Sequence, residues 1–278
     1  MRIITALWLR NVKLFFRNRV QLILLMIMPF FYLYLLSTIF VSVYISNPIH
    51  YILAGIVIIV VFQTSMNIAT STIEDIVSGY MKEVLVSPVK RIQIALGQIF
   101  ASTTIATLQG VLILIIGYFI GMTYRSPLTP IAIFVFMFFV GLVFSAFGLF
   151  LATSIKNHQT FQVFSVAVTT PITFLCGVYI PISLLPDALQ FAALFNPMTY
   201  AASFFRTLSL EKMSLSTDEL VSEQLAYQIN NIVITPQLSL FIISLFGLLF
   251  LLLATVAFSK VDFLKIDRSS TKKDIFQQ

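Results

Sequence analysis

Residues 73–91 read Ile73-Glu74-Asp75-Ile76-Val77-Ser78-Gly79-Tyr80-Met81-Lys82-Glu83-Val84-Leu85-Val86-Ser87-Pro88-Val89-Lys90-Arg91, a charged island between two apolar runs long enough to cross a bilayer. On a helix, Ile73, Ile76, Val77, Tyr80 and Val84 share one face, while Glu74, Asp75, Ser78 and Lys82 share the other. That is the spacing of an amphipathic surface helix. Ser87-Pro88 stops it, because proline lacks an N–H and restricts the residue before it. Lys90 and Arg91 mark the return into lipid from the cytoplasmic side. A helix of this kind gives a soluble partner a surface to push on; a solvated connector carries the same pattern, so the rest of the chain has to choose.

Outward from this stretch, six apolar segments cover about 21–46, 51–72, 92–121, 130–154, 160–182 and 237–259. With 59% hydrophobic and only 10% charged residues in 278, the chain is an expected membrane protein. With the N-terminus inside, the cytoplasmic side collects Arg2, Arg10, Lys13, Arg17, Arg19, Lys82, Lys90, Arg91, Lys156, Lys260, Lys265, Arg268, Lys272 and Lys273. The outer side keeps Arg125, Arg206 and Lys212, so the positive-inside rule places both termini in the cytoplasm. The net charge of +6 is therefore a matter of topology, and no nucleic-acid partner is expected.

Residues 1–20 set Arg2, Arg10, Lys13, Arg17 and Arg19 among Ile3, Ile4, Leu7, Trp8, Val12, Phe15 and Phe16 at spacings of three and four. This predicts a basic helix lying at the membrane interface rather than a cleavable signal, whose apolar region would be shorter. Asn47-Pro48 turns the first hairpin, and Ser126-Pro127 with Pro130 the second. Gly117 and Gly121, and Gly141, Ser145 and Gly148, are small residues at helical spacing, expected at close helix contacts. Pro181, Pro186 and Asn196-Pro197 break residues 183–236 into short helices dipping into the outer leaflet, followed by a small polar outer element.

No ionisable side chain falls inside the six segments, which disfavours ion-coupled carriers and voltage sensors. His50 and His158 are expected on opposite sides of the bilayer, and Cys176 is the single cysteine, so no catalytic set or metal cluster is expected. The dipeptide Gly-Lys is absent, and with it the phosphate-binding loop, so directed work must draw its energy from another chain. What the segments do hold is uncharged: Gln63, Asn67, Thr70 and Ser71 in the second, and the stripe Gln162, Ser165, Thr169 and Thr173 in the fifth. Gln109 and Thr107 add a pair in the third. Helix–helix hydrogen bonds and the lining of a substrate path both fit such stripes.

Together these features resemble the permease subunits of ABC-2-type ABC exporters, near the drug-exporting branch, over nearly the whole chain. A basic interfacial helix leads into six spans, matched by Arg2 to Val20. The loop after the second span carries an acid, a glycine, a proline and a basic residue, matched by Glu74, Gly79, Pro88 and Arg91. Gly177, Pro181, Pro186, Asn196, Pro197 and Arg206 match, in order, the pattern that ends the fifth span and follows it. Tyr80-Met81-Lys82 departs from the family pattern.

The resemblance implies an all-α fold: interfacial helix 1–20, a six-helix transmembrane domain 21–259 with coupling loop 73–91 and outer re-entrant segment 183–236, and a cytoplasmic tail 260–278. It implies that Glu74, Asp75, Gly79, Lys82, Glu83, Pro88 and Arg91 engage a separate ATP-binding subunit, present in two copies and carrying ATP and Mg. A second permease subunit, identical or related, would complete the assembly in a bacterial plasma membrane. The expected cargo is a drug, peptide or lipid-like molecule, with a glycan or teichoic acid as the alternative. A structural or assembly membrane protein would account for the lack of chemistry but not for the shaped loop.

Overall fold

From Tyr51 to Phe62 every residue of the chain is apolar, and every one is buried. A helix that is hydrophobic all round belongs in the middle of a bundle. In the computed structural model this is α2 (Pro48–Val77), whose first turn is opened by a proline that has no N–H to leave unpaired. The structure describes residues 2–20, single positions between 22 and 34, and residues 48–80, 89–155, 158–229 and 232–260. The expected first span, residues 81–88 and the tail beyond Lys260 lie outside the described residues, apart from those single positions.

Around α2 stand α3 (Arg91–Phe119), α4 (Leu128–Ser154) and α5 (His158–Phe174), with α9 (Pro236–Lys260) packed on α4 and α1 (Arg2–Arg17) laid against α3. Among the described residues four helices are long and apolar enough to cross a membrane: the His50–Asp75 part of α2, α3, α4 and α9. They correspond to four of the expected segments. On α9, Phe241, Leu245, Leu248 and Leu252 are all exposed, an unbroken apolar stripe of the kind that faces lipid. The chain is read as a multi-pass membrane protein.

α2 and α3, and α3 and α4, run antiparallel and close, while α4 and α9 run parallel. α2 and α3 meet where Gly117 faces Leu53 and Gly110 faces Val57 and Val61; Ser102 Oγ donates to the Ser65 carbonyl at 3.1 Å further along. A Cβ on Gly110 would lie 2.7 Å from Met137 Sδ and 2.9 Å from Val61 Cγ2, so three helices converge on the missing side chain. On α4, Gly141 packs on Thr103, and Ser145 Oγ donates to Ser102 Oγ at 2.8 Å. α9 joins through Gly247 against Val143 and a ring stack of Phe147 on Phe250.

Several expectations change. Gly121 is a turn residue with φ +107° and open space around it, not a packing glycine. The fifth segment is helical only to Phe174, because Pro171 sits in its last turn and Gly177 takes φ +78°. At 17 residues α5 is roughly 25 Å long, shorter than a typical hydrocarbon core. Ile73–Val77 is the last turn of α2 rather than the start of a separate loop helix, and Gly79 at φ +81° follows it.

The broken stretch is a 3-10 turn (Ile182–Leu184), α6 (Asp187–Ala193) and α7 (Pro197–Ser209). α8 (Thr217–Ser222) then opens on a reciprocal capping box between Ser216 and Glu219. A two-stranded antiparallel hairpin, β1 (Tyr227–Ile229) with β2 (Ile232–Ile234), adds a little sheet to a fold expected to be all helix.

Candidate functional site

Both ends of the bundle gather polar residues. At one end α1 presents Leu7, Asn11 and Phe15, spaced by four and buried, while Lys13, Arg17 and Arg19 stay exposed. The helix is amphipathic as its periodicity requires. Trp8 Nε1 donates to Thr104 Oγ1 at 3.0 Å, and Asn11 Nδ2 to Gln98 Oε1 at 2.5 Å, fastening α1 to α3. Arg10 reaches α2: its two terminal nitrogens contact the two Asp75 oxygens at 2.7 Å each. Gln98 Nε2 adds a weak donor to Asp75 at 3.5 Å, and the guanidinium lies 3.8 Å over the Tyr80 ring.

Among the described residues of 73–84, Asp75 departs from the polar face expected of it. Asp75 is buried at 8% exposure and spent on Arg10, while Glu74 beside it is exposed. Arg91 opens α3 and donates to the Ser259 carbonyl at 2.8 Å, bringing the end of α9 to the same place. Lys82, Glu83 and Pro88 fall outside the described residues.

At the other end Arg206, one of the three cations counted to the outer side, is completely buried. Its Nη1 donates to the Tyr51 hydroxyl at 2.7 Å and the Gly177 carbonyl at 2.9 Å; its Nη2 donates to the Val178 carbonyl at 3.4 Å, and its plane lies 3.9 Å over the Tyr51 ring. Tyr51 in turn donates to the Gln224 carbonyl. Asn196 caps α7, accepting from Met198 N at 2.9 Å, with Pro197 in the first turn. Pro181 and Pro186 precede the 3-10 turn and α6. The structure thus joins Arg206 and Asn196 to one break in the chain.

One further feature was legible in the sequence but hidden by the prolines around it. Asn196, Thr199, Ser203 and Arg206 recur at three, four and three residues along α7, and each donates to a backbone carbonyl beyond the helix. The acceptors are Ile172 at 2.8 Å, Leu175 at 3.3 Å, Leu225 at 2.7 Å and the Gly177–Val178 pair. The carbonyls freed where α5 stops are therefore met by one face of α7. The run Asn-Pro-x-Thr-x-x-x-Ser-x-x-Arg was the available signal.

The uncharged stripes separate. Thr64 donates to Gln109 across α2 and α3, and Thr107 folds back on the Thr103 carbonyl. These are helix–helix and local bonds. Gln63 is half-buried in α2; Asn67 lies in α2 without a described side chain. On α5, Gln162 is exposed, Ser165 and Thr169 are half-buried, and Thr173 is buried with its hydroxyl on the Thr169 carbonyl. Beyond the spans, the Glu211 carboxylate accepts from Thr129 Oγ1, Arg125 N and Ser126 N, and these donors, Thr129 foremost, hold it below the usual glutamate range. Lys212 and Glu223 form an ion pair. Among the described residues no group of three or more His, Cys, Asp or Glu comes together.

Comparison with known proteins puts this arrangement in context. The putative transport permease ycf38 of Cyanophora paradoxa is 24% identical over 164 residues, which is 59% of this chain and 57% of that protein. Nodulation protein J of Bradyrhizobium diazoefficiens is 27% identical over 119 residues, 43% of this chain and 45% of that protein. The chain thus spans about half the length of the curated relatives it matches. A family model described as ABC-2 type transporter matches residues 2–210, taking in both the Arg10–Asp75 pair and the α7 ladder through Arg206, and the chain belongs to that family.

Proposed function

We propose that the chain is the transmembrane subunit of an ATP-driven exporter, moving a hydrophobic or amphiphilic molecule outward with energy from a separate ATP-binding subunit. The observation that carries this reading is the Arg10–Asp75 pair. It draws α1 and the last turn of α2 to the end where Arg91 opens α3 and Ser259 closes α9, with residues 78–90 linking α2 to α3 there. A force on that connection reaches several helices at once, and a ligand-driven change of this kind needs only differential contact in two states of the partner.

In this reading Glu74, Gly79, Lys82, Glu83, Pro88 and Arg91 form or frame the contact with the ATP-binding subunit, and Asp75 acts within the chain. The cation asymmetry supports a cytoplasmic side for this end and for both termini, and in this reading the membrane is a bacterial inner membrane. Two ATP-binding copies, carrying ATP and Mg, serve two permease subunits. Polar side chains exposed on an apolar helix are disfavoured against lipid, so Gln162, Ser165 and Thr169 face a second permease subunit or the path.

A glycan or teichoic-acid substrate is the second reading, favoured by the exposed rings of Phe164 and Phe174 on the same helix as Gln162. The test is to co-express and co-purify the chain with a candidate ATP-binding protein of the same organism and to measure hydrolysis alone and together. Hydrolysis is expected only in the complex, raised by drug-like or lipid-like compounds more than by glycans. Hydrolysis by the isolated chain, or no stable complex, counts against the reading.

A further inference from the structure

An arginine cannot shed its proton in a protein, so a buried one is a buried charge that its surroundings must solvate. Arg10 has a carboxylate for this purpose. Among the described contacts of Arg206 there is none: the partners are the Tyr51 hydroxyl and ring and the carbonyls of Gly177 and Val178, just past the C-terminal end of α5. That end carries the negative pole of the helix, which suits a cation. The compensation is nevertheless by dipoles alone. The Tyr227 hydroxyl lies within reach of Arg206, yet neither it nor Arg206 Nε makes a hydrogen bond of normal geometry among the described residues. The cation is held, but its bonding capacity is not filled.

The segment it holds is a break by construction. α5 stops at Phe174, Gly177 takes φ +78°, and Val178 is pressed against α2 where Gly55 leaves room. A Cβ on Gly55 would come within 2.5 Å of Val178 Cγ1 and 2.9 Å of Arg206 Nη2. The contact therefore closes only because residue 55 has no side chain. A non-helical stretch seated by a solvation-hungry cation on a notch of matching size has two arrangements open to it: docked, with the guanidinium buried, and undocked, with the guanidinium in water.

We propose that Arg206 is a releasable clamp that docks residues 175–180 onto the start of α2 and closes this end of the bundle. This deepens the transport reading and rests on it for the purpose of the opening; the docking itself is independent of any substrate. Undocking exchanges the Gly177, Val178 and Tyr51 contacts for water, recovers solvation for the charge, and exposes the residue before Gly177. That residue is Cys176, fully buried here and the only cysteine in the chain. The protein thus carries its own probe.

The experiment measures the rate at which a membrane-impermeant maleimide labels Cys176 in the full-length chain in native membranes, with denatured protein as the fully reactive reference. Wild type is expected to label slowly. Tyr51→Phe removes one oxygen and should raise the rate by about tenfold, the effect of losing one hydrogen bond to a charged group. Gly55→Ala, which blocks the notch while leaving the arginine in the sequence, should act in the same direction, as should Arg206→Lys. Thr64→Val, which removes a helix–helix hydrogen bond in the middle of the bundle and touches neither the clamp nor the Arg10–Asp75 end, should leave the rate at the wild-type value. Equal rates in Tyr51→Phe, Gly55→Ala and wild type overturn the clamp, and so does an equal rise in Thr64→Val, which would mean general loosening. Size-exclusion profiles confirm folding; if Arg206→Lys aggregates, the two milder variants decide between docking and its absence. A rate shift without ATP-dependent transport refutes the transport reading and leaves the clamp standing.

Discussion

Arg10 and Asp75 close an interaction 65 positions apart in sequence with two parallel nitrogen–oxygen contacts of 2.7 Å. The bidentate geometry is the strongest an arginine and a carboxylate can adopt, and here it fixes register as well as proximity. Asn11 beside Arg10 bonds Gln98, and Gln98 touches Asp75, so α1, α2 and α3 share one polar network. α1 is for this reason not a loose leader on the membrane surface. It is braced to the turn of α2 that leads into residues 78–90.

The pair should behave as a coupled unit in stability measurements. Asp75→Asn leaves Arg10 half-buried without its counter-charge, and Arg10→Gln leaves Asp75 buried with only the weak Gln98 contact. Each single change is expected to destabilise, and the double variant by less than the sum, with an interaction free energy of about 1–3 kcal/mol. Thermal unfolding in detergent of all four proteins measures it; strict additivity would show that the two groups do not act together.

Glu211 predicts a dependence on pH at the other end. Its carboxylate accepts from the Thr129 hydroxyl at 2.5 Å and from the Arg125 and Ser126 amides at 2.8 and 3.1 Å, tying the loop after α7 to the start of α4. These bonds favour the charged form, so its folded-state pKa lies below the ordinary value of 4.5. The stabilisation is therefore complete above that ordinary value and is lost as pH falls through the lowered one. Glu211→Gln should lower the melting temperature at neutral pH and converge on wild type as pH falls below the ordinary value of 4.5 and through the lowered one. A gap that stays constant on acidification would assign the effect to packing.

Much of this was written in the pattern of the chain. All-round apolar runs gave α2, α3, α4 and α9, and the period of Ile3, Ile4, Leu7, Trp8, Val12, Phe15 and Phe16 gave α1. The partners were not legible. Periodicity placed Asp75 on a polar face because it weighs only neighbours in sequence, and Arg10 lies far outside any such window. Counting Arg206 to the outer side said nothing of its burial for a related reason: hydropathy cannot show that carbonyls released by the break at Gly177 supply a place to bury a cation. The hairpin at 227–234 was missed because its strands are three residues long, too short for alternation to show.

The Thr64–Gln109 bond between α2 and α3 separates packing from passage. Both side chains are buried among apolar neighbours, and Thr64→Val keeps the shape while removing the hydroxyl. Interhelical bonds of this type contribute about 0.6 kcal/mol on average within membranes, rising to about 1.7. The expected loss is of that size, with ATP-dependent transport preserved in the assembled complex. A large fall in transport at unchanged stability would place Gln109 on the substrate path instead.

Two glycines, one just past α2 and one within α3, should respond to alanine for opposite reasons. Gly79 holds φ +81° with nothing among the described residues within 4 Å of an added Cβ, so Gly79→Ala meets none of them and bears the backbone strain, about 1–2 kcal/mol. Gly79→Asn should recover most of it, since asparagine tolerates that region. Gly110 has ordinary helical backbone, and its added Cβ would meet Met137 and Val61. Gly110→Ala must displace both, an overpacking cost of about 1–3 kcal/mol that asparagine could only enlarge. Relief of that loss by Val61→Ala, with no such relief for Gly79→Ala, is the pattern that distinguishes strain from crowding; the same response at both sites would mean that the α2–α3 contact at Gly110 is looser than 2.9 Å.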